Sequence, residues 1–236
     1  MVMKKTSLSE AAIDTTWRKG MASLLTIGER AKVWESGYVI DLPRRAELFC
    51  ENDKADTLYY IRSGKLKIEI GRQDDEGVIV GLRGPGEIAG YRAIIAGEKH
   101  TTTATAIEPT ELVGVSRRLA LDIFAQNTKM AGQVTRIMAK QVKDAQHRLW
   151  AMTHKQLRGR LADSLLFLCD TFGYAAGTQC IDILLTREEL GQLSNMNTAN
   201  AIRTLATFVT EGIIETKGRS IAILDEEALR RTSEIG

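Results

Sequence analysis

The chain has 236 residues, of which 44% are hydrophobic, and its 32 Lys and Arg against 30 Asp and Glu leave a formal net charge of +2. That length holds one large or two modest cores, and a change of character near the middle favours two domains; the charge balance by itself announces no polyanionic partner. No apolar run is long enough to span a bilayer, and the basic start Met1-Val2-Met3-Lys4-Lys5-Thr6 lacks the apolar stretch of a secretory signal, so a cytoplasmic protein without a membrane partner is expected. Cys50, Cys169 and Cys180 are scattered and odd in number, which indicates neither a disulfide framework nor a zinc or iron-sulfur site. His100, His147 and His154 are equally dispersed, and no metal site is expected.

From Lys32 to Val115 the chain reads as short strands separated by glycine and polar turns. They are Tyr38–Leu42, Leu58–Ile61, Leu66–Ile70, Val78–Leu82, Thr102–Ile107 and Leu112–Val115. Several alternate apolar and polar residues, as a sheet with one face in a core requires, and many short strands at this spacing suggest a sandwich or barrel. Ser63-Gly64 is a turn signal, and Arg83-Gly84-Pro85-Gly86-Glu87 is a breaker cluster that ends the fourth strand.

The periodicity then switches. From about Thr128, the residues Met130, Val134, Met138, Val142, Ala145, Leu149 and Met152 recur every three or four positions, which predicts a helix of about six or seven turns. Ile137 and Trp150 lie off that stripe, so the helix is apolar on more than one face and needs two partners. The β domain supplies one; the second is either the same helix of another subunit, with Gln141 as a polar position in the seam, or further core within one chain.

The segment Leu185 to Leu205 predicts two short helices at a fixed turn. Thr186 and Glu189 form a capping box; Leu190 and Leu193 share a face; Asn195 can adopt the left-handed conformation that stops a helix, and Asn197 is a second N-cap. After it Ala201, Ile202, Leu205 and Phe208 are expected to face inward, and Thr198, Ala199 and Arg203 outward. Gly212 to Leu224 reads as a hairpin around Lys217-Gly218. Helix, turn, helix and hairpin make a winged helix-turn-helix, and Lys155, Arg158, Arg160, Arg187, Arg203, Lys217 and Arg219 cluster on elements that such a motif turns toward DNA. Solvated surface charge is the ordinary alternative for each of them.

Three motifs in order carry a resemblance over nearly the whole chain: Tyr59-Tyr60-Ile61-Arg62-Ser63-Gly64-Lys65-Leu66-Lys67-Ile68, Gly159-Arg160-Leu161-Ala162, and Thr186-Arg187-Glu188-Glu189-Leu190-Gly191. The chain resembles the cyclic-AMP receptor protein/FNR (Crp/Fnr) family of bacterial transcription regulators. The resemblance implies an α+β protein with a cyclic-nucleotide-binding-like β jelly roll (residues 1–127) as effector domain, a long dimerisation helix and hinge (128–154), and a C-terminal winged helix-turn-helix domain (155–236). It implies a non-enzymatic homodimer that binds an inverted repeat in double-stranded DNA, as activator or repressor. No catalytic constellation is expected. The alternative is an effector-binding regulatory module without sequence-specific DNA binding.

By the same resemblance Arg203 matches the recognition-helix arginine that reads guanine, while Thr198 and Ala199 stand where the best-known members carry Arg and Glu, so the half-site should differ. Thr186, Arg187, Asn197 and Arg219 are expected to contact phosphates, which position without reading sequence. The loop Gly173–Gln179 lies where family activators touch RNA polymerase, and its composition equally suits a plain connector. The family's phosphate-binding cassette falls at Gly86 to Thr102. Gly90 keeps its first position, but Tyr91 replaces the ribose-binding Glu, His100-Thr101 replaces the phosphate-clamping Arg-Ser/Thr pair, and Ala145-Gln146 replaces the Thr-Ser that reads adenine. These changes argue against cyclic AMP as effector. Gly90, Tyr91, Arg92, His100, Thr101, Ala145 and Gln146 are left as a pocket for a different, unidentified anion, with Arg92 as replacement cation, or as a pocket with no ligand.

Overall fold

The computed structural model of the chain describes residues 4–7, 20–71 and 77–235; the start at residues 1–3, where the reading against a secretory signal begins, lies outside them. In chain order the elements are β1 (Lys4–Ser7), a 3-10 turn (Gly20–Leu24), α1 (Ile27–Ser36), β2 (Tyr38–Leu42), β3 (Glu47–Phe49), β4 (Thr57–Ser63), β5 (Leu66–Ile70), β6 (Val78–Arg83), β7 (Ile88–Ala89), α2 (Tyr91–Ala96), β8 (Thr103–Ala106) and β9 (Thr110–Ser116). Then follow α3 (Arg117–Gln126), α4 (Thr128–His154), α5 (Leu157–Phe172), α6 (Arg187–Leu193), α7 (Thr198–Thr210), β10 (Ile214–Lys217), β11 (Ser220–Ile223) and α8 (Glu226–Ile235).

The chain divides into two compact units, the first holding residues 1–75 and 80–142, the second residues 76–79 and 143–236. In the first, two antiparallel sheets run in the orders β1-β2-β9-β4-β7 and β3-β8-β5-β6. Alternation along the strands sends Ile40, Leu42, Ile61, Leu66, Ile68 and Leu112 into one core. The remaining apolar side chains of the first sheet, among them Leu58, Val113 and Val115, face helices and pack with Val33, Ile123, Met130 and Val134. Every expected strand is present; β1, β3 and β7, four, three and two residues long, are additions that no period could reveal.

The long helix runs from Thr128 to His154, 27 residues, and begins where Asn127 closes it. The Asn127 side-chain oxygen accepts from the Met130 N–H at 3.0 Å, and its amide donates to the Leu24 carbonyl at 2.9 Å and the Glu29 carboxylate at 2.8 Å. A residue only 8% exposed is thus satisfied as donor and acceptor, which fixes both the start and the direction of the helix. Met130 and Val134 are buried, whereas Met138, Val142, Leu149 and Met152 are 39, 58, 66 and 39% exposed.

In the second unit Leu161, Leu165 and Leu168 of α5 and Leu190, Leu205, Phe208, Ile214, Ile221, Ile223 and Leu229 are buried. Ser194 ties the helix-turn-helix to α5 by donating to Ser164 at 2.9 Å, and Ser164 in turn donates to the Arg160 carbonyl at 3.0 Å. Among the described residues no helix is long and apolar enough to cross a membrane, and no cluster of potential metal ligands occurs.

Candidate nucleic-acid interface and effector cavity

The helix-turn-helix forms as its caps dictate. Thr186 accepts from the Glu189 N–H at 3.1 Å while the Glu189 carboxylate takes the Thr186 N–H at 2.8 Å. The first helix stops at Leu193, Asn195 takes φ +50°, and Asn197 accepts from the Asn200 N–H at 2.8 Å to open α7. Gly191 makes the turn tight: a Cβ there would lie 2.7 Å from the Met196 carbonyl oxygen, closer than any real side chain is found. Among the residues read from sequence, Gly191 entered only as part of a motif; its role follows from this approach of backbone to backbone.

The second helix turns Thr198, Ala199 and Arg203 outward and buries Ala201, Leu205 and Phe208. Ile202 corrects the expectation: it is 50% exposed, and Thr204, 8% exposed, takes the inner position. At 100° per residue Ile202 falls beside Arg203 on the outer face, and apolar character alone had suggested otherwise. The Arg203 guanidinium donates to the Asn200 side-chain oxygen at 2.6 Å, so Asn200, a residue the sequence reading passed over, aims the arginine.

The hairpin pairs Lys217 with Ser220, which shifts the expected turn by one residue to Gly218-Arg219. Gly218 has φ +61°, as the first position of a two-residue hairpin loop allows for glycine. Arg187 links this wing to α6 by donating through one terminal nitrogen to the Gly218 carbonyl at 3.0 Å, while its other terminal nitrogen is buried with no partner among the described residues. Burial holds the Arg187 pKa below the usual arginine range. Arg219 is half-buried and Lys217 exposed.

Two of the cations counted toward DNA are committed inside the unit. Lys155 pairs with Asp163 at 2.8 Å, and Arg158 forks onto both oxygens of Glu211 at 2.8 and 2.7 Å. The Arg158 guanidinium also lies 5.2 Å from the centre of the Phe208 ring. Its pKa is raised, first by the hydrogen bond to Glu211.

In the first unit Gly90, Tyr91, Arg92, His100 and Thr101 line one cavity together with Phe49, Arg83 and Thr102. Gly90 opens α2 at φ +83°, and a Cβ there would press on the Thr57 carbonyl oxygen at 3.1 Å. His100 is 4% exposed and stacks on Phe49 with centroids 3.8 Å apart and planes at 12°. Burial lowers its pKa, against the raising influence of Asp53, which favours the neutral ring over a cationic clamp.

Tyr91 is 3% exposed, and its hydroxyl has no partner among the described residues. The Arg92 guanidinium is held below its usual pKa, first by desolvation and further by the positive Arg83, with Tyr91 acting the other way. Arg83 was missed because it enters from β6, outside the expected cassette residues. Ala145 and Gln146 lie exposed on α4 in the second unit.

A β roll, a long helix and a winged helix-turn-helix make up a DNA-binding regulator. The cyclic nucleotide-binding domain model matches residues 39–127 and the Crp-like helix-turn-helix domain model matches residues 159–232. The CRP-like cAMP-activated global transcriptional regulator of Mycobacterium tuberculosis H37Rv is 30% identical over 193 residues, 81% of this chain and 86% of that protein. The fumarate and nitrate reduction regulatory protein of Vibrio cholerae is 28% identical over 226 residues, 94% of this chain and 86% of its own length. The structure of FixK2 from Bradyrhizobium japonicum shares the fold, with a TM-score of 0.74 at 19% identity over 83% of this chain and 96% of that one. The chain belongs to the CRP/FNR family and is a DNA-binding transcription regulator, which sets aside the reading of an effector module without DNA recognition.

Proposed function

We propose that the protein works as a homodimer, joined along α4, that binds an inverted-repeat operator under the control of a small anionic effector other than cyclic AMP. The observation that carries the dimer is the row Met138, Val142, Leu149 and Met152. These side chains are each 39% or more exposed and, with Ala145 between them, they alternate at steps of four and three residues along one helix. That is the a/d spacing of a two-stranded coiled coil, which a single chain leaves open to water.

A two-fold dimer sets its recognition helices in successive major grooves about 34 Å apart, hence the inverted repeat. In this reading Arg203, aimed by Asn200, forks onto a guanine, Thr198 and Ala199 approach bases without bidentate bonds, and Thr186, Arg187, Asn197 and Arg219 hold phosphates. Selection from random duplexes should return two half-sites one helical turn apart. On the selected site Arg203→Ala should flatten preference at one base pair per half-site, a contact worth about 1–3 kcal/mol. Arg219→Ala should weaken all sequences alike and lower the salt slope by about 1. A lone half-site, or uniform loss for Arg203→Ala, refutes the assignment.

The effector reading rests on the cavity chemistry. Two guanidiniums, Arg83 and Arg92, repel one another beside an unpartnered buried hydroxyl, an arrangement that an anion would relieve. Tyr91 fills the place of a carboxylate, and neutral His100 lacks the fork that holds a cyclic phosphate. Isothermal titration with cyclic AMP should show no binding at micromolar concentration; a micromolar or tighter dissociation constant overturns this part of the proposal.

A further inference from the structure

The outer face of α7 is more apolar than a reader of hydrogen-bond patterns requires. Ala199, Ile202, Arg203 and Ala206 are all exposed and fall at i, i+3, i+4 and i+7, hence on one face of the helix. The opposite face is filled by Ala201, Thr204, Leu205 and Phe208. A single exposed isoleucine on a protein surface needs no explanation. Ile202 differs in its setting: it stands next to Arg203, whose guanidinium is already held by Asn200, on the face the helix-turn-helix presents.

Of the four side chains on this face only Arg203 can donate a hydrogen bond to a base edge, and none can accept one. The major groove offers one apolar feature to such a surface, the C5-methyl of thymine. A branched side chain 50% exposed between two alanines has both the reach and the open flanks to cover it.

We infer that Ile202 is a specificity-determining residue that selects thymine by packing on its methyl group, beside the guanine read by Arg203. This rests on the DNA-reading assignment of α7 and adds a second determinant to it. Covering one methyl is worth about 0.8 kcal/mol, which is about a fourfold change in affinity.

The experiment uses the full-length protein. Operators are selected from random duplexes by the wild type, Ile202→Ala, Ile202→Val and Arg203→Ala, and each thymine of the wild-type site is then replaced by deoxyuridine, which lacks only the methyl. One thymine per half-site should matter: its replacement weakens the wild type about fourfold, leaves Ile202→Ala unchanged, and affects Ile202→Val to an intermediate degree. The selected consensus of Ile202→Ala should lose that thymine and keep the guanine. If Ile202→Ala retains the wild-type sensitivity to deoxyuridine, if no thymine is sensitive, or if the substitution changes oligomeric state in place of base preference, the inference is overturned while Arg203→Ala still reports a working recognition helix. If Arg203→Ala also leaves the consensus intact, the reading of α7 as the recognition helix fails with it.

Discussion

The dimer seam proposed along α4 is open to a quantitative test at Leu149. This side chain is 66% exposed, and fully burying a leucine is worth about 1.5–3 kcal/mol. In such a seam, covering the open two-thirds contributes about 1–2 kcal/mol per chain, or about 2–4 kcal/mol if two copies meet at a two-fold axis. Leu149→Ala should weaken the dimer by about 30- to 700-fold, with the retained Cβ favouring the lower end. Sedimentation velocity from nanomolar to tens of micromolar protein reads this as a shifted monomer–dimer midpoint. Lys143→Ala is the matched control, an exposed residue one position past Val142 that points away from the a/d row; it should leave the midpoint within about threefold, as surface substitutions usually do. A wild type that stays monomeric at tens of micromolar, or a Leu149→Ala midpoint no different from that of Lys143→Ala, would refute the reasoning.

Two further predictions concern the separate units. Because Ser194 donates to Ser164 and Ser164 donates onward to the Arg160 carbonyl, Ser164→Ala strands a buried donor and should cost about 1–3 kcal/mol, while Ser194→Ala loses one bond at about 0.5–1.5 kcal/mol. The double variant should be no worse than Ser164→Ala alone; hydrogen exchange of the α6 amides in the intact protein measures this, and equal or additive costs would count against the chain of bonds. His100 predicts a pH dependence. Burial depresses its pKa in the folded protein, so the unfolded chain binds the proton more readily, and the contribution is full above the ordinary value of about 6.5 and is lost as pH falls below it. The melting temperature of the wild type relative to His100→Phe, which keeps a ring on Phe49, should therefore fall between pH 7.5 and 5.5; a flat difference rules the effect out.

The sequence showed most where local rules act alone. The capping box of Thr186 and Glu189 and the Asn197 cap depend on residues three positions apart, and the left-handed Asn195 on a single residue; all three formed as expected. Alternation gave the longer strands for the same reason. What stayed hidden needed partners distant in the chain. Asn127 starts the long helix with help from Leu24 and Glu29, and the His100 pKa is lowered by a burial to which Phe49 contributes. Arg83, the last residue of β6, lines the cavity with Gly90 and Arg92 although it lies outside the residues read as the cassette.

Ile202 and Arg158 depart from expectation for a common cause: residue type alone is a poor guide to direction. An apolar side chain in an amphipathic helix is usually inward, yet Ala201, Thr204, Leu205 and Phe208 fix the phase of α7, and Ile202 lies about 110° from the middle of that buried face. A cation near a DNA-binding motif is usually a phosphate contact, yet Glu211 lies within a hydrogen bond of Arg158 and Asp163 of Lys155. The pairs remove two positive charges from any tally made along the sequence and leave Arg160 on α5 and Arg187, Arg203, Lys217 and Arg219 on the helices and wing of the motif. This reconciles a near-neutral chain with a DNA-binding role: phosphate affinity depends on which cations remain uncommitted at the interface, and net charge averages over those that are not.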